Sequence, residues 1–245
     1  MSLDGAGSAE LLILITGVVA GGVATVTGFG IGSLLTPAFS VWYDAKVAVA
    51  AVSVPHLVGT AIRFWMVKGH VDRRVIWSFG LASAAGGLTG ALLHSWASSP
   101  SLTIVFGGLL LFVSASELGG LARRMKFTGA LAWSAGALSG LLGGLVGNQG
   151  GIRAGALLGF NMRKDAFVAT ATAIGLIVDA ARMPVYAVVQ GRQLADMWLP
   201  IAVATAGVTA GTVAGHRLLG RIPEPVFRRL VAVLVGMLGL SMLLR

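Results

Sequence analysis

The chain has 245 residues, of which 56% are hydrophobic and 11% charged, with a formal net charge of +9 and a mean hydropathy of +0.87. This composition excludes a soluble domain with a solvated surface and describes an integral membrane protein, in which excess Lys and Arg belongs to cytoplasmic loops rather than to a nucleic-acid interface. The absence of cysteine removes disulfides, thiolate metal ligands and cysteine nucleophiles, and no cofactor or metal site is expected.

The first ten residues carry Asp4 and Glu10 and no cation, unlike the basic start of a cleaved signal peptide, so the first apolar run is expected to remain as a transmembrane segment. Apolar runs predict segments over 11–27, 31–43, 46–67, 75–95, 101–121, 128–147, 152–161, 166–189, 197–217 and 226–244. The fold class expected is all-α and polytopic, one transmembrane domain over 1–245. Most segments approach the ~20 residues a helix needs to cross the hydrocarbon, but 31–43 and 152–161 are too short to span untilted. If the chain changes side at each segment, Lys68, Arg73, Arg74, Arg123, Arg124, Lys126, Arg163, Lys164, Arg217, Arg221, Arg228 and Arg229 share one side, and Lys46, Arg192 and Arg245 the other. That bias places the first set in the cytoplasm and both termini on the non-cytoplasmic side. Trp42, Trp65, Trp77, Trp96, Trp133 and Trp198 fall at or near segment ends, where interfacial anchors belong.

The halves match each other. A slide of 119 residues lays Gly17 on Gly136, Gly21 on Gly140, Gly28 on Gly147, Gly32 on Gly151, Ser53 on Thr172 and Arg63 on Arg182; further on, a slide of 121 lays Trp77 on Trp198, Gly86 on Gly207 and Gly90 on Gly211. The repeats cover about 9–121 and 128–245 with five segments each. An odd number makes the second copy enter from the opposite face, an inverted-topology repeat of the kind many secondary transporters use.

Each half interrupts itself with glycine: Gly28-Phe29-Gly30-Ile31-Gly32-Ser33 in the first, Gly147-Asn148-Gln149-Gly150-Gly151-Ile152-Arg153 in the second. Non-helical backbone in hydrocarbon costs several kcal/mol per unsatisfied group, so such breaks persist where protein or a water-filled cavity covers them. Entering from opposite faces, the two are expected to meet near the midplane, and the N–H groups freed at the next half-helix attract anions. For Gly86, Gly87, Gly90, Gly107, Gly108, Gly207 and Gly211 tight helix packing is the simpler reading.

The third segment of each half adds polar groups on one helix face: Ser53, His56, Thr60 and Arg63, then Thr172, Asp179 and Arg182, with Gly175 in place of the histidine. Plainer roles stay open at this point. Arg63 is five residues before Lys68 and has the length to snorkel to the interface; Asp179 and Arg182 have the spacing to neutralise each other; His56 has the place of a hydrogen-bonded packing residue. Taken together, Asn148, Gln149, Gly150, Gly151, Arg153, Arg182, Arg63, Gly28, Gly30, Gly32, Ser53 and Thr172 form a candidate binding set in which cations outnumber carboxylates. It favours a small anion, because the arginine fork suits carboxylate, sulfonate or sulfite oxygens. His56 and Asp179 are the candidates for a coupling proton.

Two related halves, each with a Gly-rich helix, a glycine break, a short apolar stretch and an Ala/Ser/Thr-rich helix, resemble the TauE/SafE family of sulfite and organosulfonate exporters. GFGIGSLLTP, ending at Pro37, follows the family pattern; GNQGGIRAGALL departs from it, with Asn148 and Gln149 inside the glycines and Gly155-Ala156 where a proline is usual. The resemblance implies a transporter of a small sulfur-containing anion across the inner (plasma) membrane, by export or uptake. A carboxylate transporter, or an anion channel of the same fold, is the alternative. An enzyme is disfavoured: H-E-x-x-H is absent, and His56, His70, His94 and His216 are scattered over different segments. No ATP-binding P-loop is present. The partners expected are the anion and the lipid bilayer, with a homodimer left open.

Overall fold

The computed structural model describes residues 3–28, 30–120, 129–147, 150, 153, 157, 160, 162–218 and 224–244. Among these, the regular structure is entirely helical. The helices are α1 (Leu3–Thr27), α2 (Ile31–Phe39), α3 (Ala45–Val67), α4 (Leu81–Trp96), α5 (Ser99–Leu118), α6 (Ala130–Val146), α7 (Lys164–Asp196), α8 (Trp198–Leu218) and α9 (Glu224–Leu243). A helical turn at Arg73–Val75 and a π-helical turn at Ile76–Gly80 lead into α4. Six stretches of the described residues are long and apolar enough to cross a membrane, among them Ala45–His70, Arg73–Trp96 and Asp165–Asp196, while Ala130–Val146 is apolar but shorter. The protein is a multi-pass membrane protein.

Two helices end on glycine in a backbone region closed to most side chains. α1 stops at Gly28 (φ 82°), followed by Gly30 (φ 132°), and α6 stops at Gly147 (φ 73°), whose N–H donates to the Gly143 carbonyl at 3.1 Å. A left-handed residue satisfies a terminal carbonyl while turning the chain out of the helix, and glycine does this without steric cost. α2 restarts at Ile31 and is buried along its whole length.

The largest departure from the expected segments is α7, which runs for 33 residues to Asp196 instead of ending near 189. Gln190, Arg192 and Gln193 break the apolar pattern without breaking the helix. Straight-chain polar residues are good helix formers, and at 1.5 Å per residue the helix is ~50 Å long, well beyond the hydrocarbon thickness.

Packing follows a regular scheme: α1 lies along α8, α6 along α4, α5 along α9 and α3 along α7, with α7 also on α4 and α3 also on α8. Backbones touch in the seams. A side chain on Gly21 would collide with the backbone of Val208 and Thr212, and one on Gly144 with that of Gly87 and Ala91, the close approach that small residues allow between helices in lipid. Outward, Trp65, Trp77, Trp96, Trp133 and Trp198 are exposed, and the Lys68 ammonium lies 3.3 Å from the centroid of a Trp65 ring, an arrangement suited to an interface.

Candidate functional site

The two places where the backbone leaves the helix lie against each other. A Cβ on Gly32, in the first turn of α2, would collide with the carbonyl oxygen of Gly147. Arg153 Nη2 donates to the Gly28 carbonyl at 3.4 Å, and Gly150, Arg153 and Leu157 are helical and buried. Asn148, Gln149, Gly151 and most of 152–161 lie outside the described residues.

The polar faces of α3 and α7 turn toward this crossing. His56 Nδ1–H donates to Asp179 Oδ2 at 2.7 Å. Arg182 closes on the other oxygen of the same carboxylate, with Nε at 2.9 Å and Nη2 at 2.7 Å from Oδ1, while its Nη1 donates to the Gly143 carbonyl at 2.7 Å. The guanidinium carbon lies 5.9 Å from the Tyr186 ring, and the Tyr186 hydroxyl donates to the Gly144 carbonyl. Arg63 does not snorkel. It is 3% exposed and turns inward, donating from Nε to Thr172 Oγ1 at 3.0 Å and from Nη1 to the Ala24 carbonyl at 2.6 Å. Ser53 Oγ donates to the Ala50 carbonyl of its own helix at 2.6 Å, and Thr172 Oγ1 does the same with Val168 at 2.7 Å.

Arg63 and Arg182 therefore perform the same act 119 residues apart: each holds a carbonyl four residues before a break glycine, Ala24 before Gly28 and Gly143 before Gly147. Around them the two halves differ. His56 is matched by Gly175, and Asp179 by Thr60. Arg153 sits in the room this leaves, its Nη1 3.2 Å from where a Cβ on Gly175 would stand and the Thr60 methyl 3.4 Å from the same point. Around Arg182 the cluster thus holds a carboxylate bound by His56 and Arg182, whereas around Arg63 it holds Thr60 and Arg153 and no carboxylate.

That second arrangement is unfinished. Arg153 Nη1 and Thr60 Oγ1 are buried and have no hydrogen-bond partner, and neither has Thr36 Oγ1, which lies 3.8 Å from where a Cβ on Gly147 would stand, with Arg182 Nη1 at 3.7 Å. Unpaired buried polar groups are rare in native structures and mark a place for a ligand, water or ion. Three donors with spare capacity beside guanidinium groups suit oxygen atoms carrying negative charge. Among the described residues no three His, Cys, Asp or Glu side chains come together as a metal site would require.

Thr36 and Tyr186 are absent from the candidate set read from the sequence. Tyr186 continues the face of Asp179 and Arg182 by one more turn, at i, i+3 and i+7, a signal that was present. Thr36 is the hydroxyl residue immediately before Pro37 in the first break motif and has no other mark.

A family model described as sulfite exporter TauE/SafE matches residues 13–242. No curated protein and no solved structure matches the chain.

Proposed function

Since the chain belongs to the sulfite exporter TauE/SafE family, we propose that it is a secondary transporter that carries a small sulfur-containing anion, sulfite or an organosulfonate, across the inner membrane. The observation that carries this reading is the buried, unpartnered Nη1 of Arg153, which meets Thr60 at Gly175 and reaches from there to the glycine breaks, the Thr60 hydroxyl being buried and unpartnered as well. A fully desolvated guanidinium N–H without an acceptor costs free energy, and an anion's oxygens supply the acceptor. In this reading Arg153 and Thr60 contact the anion, Arg63 adds charge beside them, and Gly175 leaves the room that the Arg153 guanidinium occupies. The residues of the second break, Asn148, Gln149, Gly150 and Gly151, are assigned to the same pocket from their place in the sequence motif that ends at Arg153.

Alternating access rests on the halves being inverted repeats. The pairing scheme supports this: exchanging α1 with α6 and α4 with α8 turns the α1–α8 contact into the α6–α4 contact, and turns α3 on α8 into α7 on α4, while α5–α9 and α3–α7 map onto themselves. Rocking one half against the other opens the crossing to either face in turn. The Lys/Arg bias places the ends carrying Lys68, Arg73 and Arg163 in the cytoplasm and both termini outside. His56 and Asp179 remain the groups to carry a coupling proton.

Reconstituted in liposomes, the protein is expected to give saturable flux of radiolabelled sulfite that falls at least tenfold in Arg153→Ala, about the loss of one charged hydrogen bond. Unchanged flux in that variant overturns the assignment of the site.

A further inference from the structure

Resting on that reading of the site, we propose that the cargo is bound as a dianion, so that the pocket selects among small oxyanions by charge before shape. Of the nine acidic residues in the chain, Asp179 is the one deep inside an apolar span; the others stand in the first or last turn of a span or between spans. Three guanidinium groups accompany it, those of Arg63, Arg153 and Arg182, each at most 3% exposed. With His56 counted as neutral, two positive charges are left over.

Their hydrogen-bond partners do not change that count. Apart from Asp179, the acceptors are the carbonyls of Ala24, Gly28 and Gly143 and the hydroxyl of Thr172, which are neutral. Nor does the backbone field remove the excess. At the first break the C-terminus of α1 meets the N-terminus of α2, and the partial charges of about half a unit at such ends are opposite in sign. A buried charge without a counter-charge is costly. A monoanion leaves one guanidinium uncompensated, whereas a dianion brings the cluster to neutrality. The location is marked by Thr60: its match in the other half is Asp179, so the charge Asp179 supplies there has no counterpart beside Arg63 and Arg153. Arg153 Nη1 and Thr60 Oγ1 have the free donor capacity to receive the anion's oxygens.

Two pairs of anions that share a shape and differ by one charge test this: sulfite against methanesulfinate, both pyramidal, and sulfate against methanesulfonate, both tetrahedral. Titration calorimetry on the purified protein, at an alkaline pH where sulfite is fully ionised and at constant ionic strength, is expected to show the dianion of at least one pair binding at least about tenfold more tightly. Arg153→Gln, which removes one charge and retains an N–H donor, should bring that ratio toward unity. Thr60→Val, which alters no charge, should weaken both members equally and leave the ratio intact. Equal affinity for the members of each pair overturns the charge selection while leaving anion transport standing. Failure of all four to bind, together with normal sulfite flux in Arg153→Ala, overturns the site itself. If Arg153→Gln does not fold, the ratio in the unmodified protein decides alone.

Discussion

Gly32 stands directly against the carbonyl oxygen of Gly147, so the first turn after one glycine break touches the last residue before the next. The contact joins residues 115 positions apart at the place where Arg153 reaches the Gly28 carbonyl. Replacing Gly32 by alanine must push the two breaks apart, and overpacking of this kind costs ~1–3 kcal/mol. Gly108 is the control, since a Cβ there meets nothing within 4 Å and alanine is the better helix former. Thermal unfolding in detergent should show Gly32→Ala several degrees below the parent, at ~2–4 °C per kcal/mol for a chain of this size, with Gly108→Ala at or above it. Equal losses in both would remove the special status of the contact.

Asp179 takes a hydrogen bond from His56 on one oxygen and one from Arg182 Nε on the other, where Arg182 Nη2 completes an ion pair at 2.7 Å. Asp179→Asn keeps the shape and removes the charge that holds Arg182, so it is expected to destabilise by ~3–5 kcal/mol, as breaking a buried ion pair does. A double-mutant cycle with His56→Gln should give a coupling energy of ~0.5–3 kcal/mol, the range for residues in direct contact. A coupling of zero would mean that the 2.7 Å contact carries no energy.

Arg63 ties α7 to the end of α1 by binding Thr172 and the Ala24 carbonyl with separate nitrogens. A lysine offers one ammonium and not a fork, so it cannot reproduce both contacts in the same geometry. Arg63→Lys is expected to fold, retaining the helical circular dichroism of the parent, while anion flux in liposomes falls by about tenfold, the equivalent of ~1.4 kcal/mol. Full activity would show that charge alone suffices at this position.

Lys46 secures the far end of α4, donating from Nζ to the carbonyls of Ser95 and Ala97 at 2.7 and 3.1 Å. Hydrogen bonds from a charged group contribute ~1.5–3 kcal/mol, and a cation is favoured at a helix C-terminus. Lys46→Met, similar in length, should lower the unfolding temperature without altering flux at a temperature where both proteins are folded. A large loss of transport at unchanged stability would assign Lys46 to the transport path instead.

Much of the helical architecture was legible before the structure. Helix positions follow from apolar runs bounded by Gly, Pro and charge, and the arginines stood out because ionisable groups are costly in lipid. What escaped has physical reasons. α7 continues to Asp196 through polar residues that end an apolar run but not a helix. Arg63 has the length to reach either the interface or the interior, and only the position of α1 decides between them. The seam between halves also differs from the sequence slide of 119. Gly21 packs on Val208 and Thr212, and Gly144 on Gly87 and Ala91, which pairs Gly21 with Gly144, 123 residues away. A shift of one helical turn keeps the same face, and glycines repeated every four residues make the two registers indistinguishable to an alignment. Arg63 and Arg182, 119 residues apart, each donate to a carbonyl at a helix end. Arg153 has no arginine at its matching position, Leu34, so symmetry gave no guide to its reach.

The exchange of His56 and Asp179 for Gly175 and Thr60 between the halves leaves one side electrically self-sufficient and the other reliant on what it carries. A carrier turning over unladen would have to enclose uncompensated guanidinium groups in surroundings that solvate them poorly, whereas the laden form is neutralised. Return trips should therefore favour a passenger, and swapping anions across the bilayer should outpace one-way discharge.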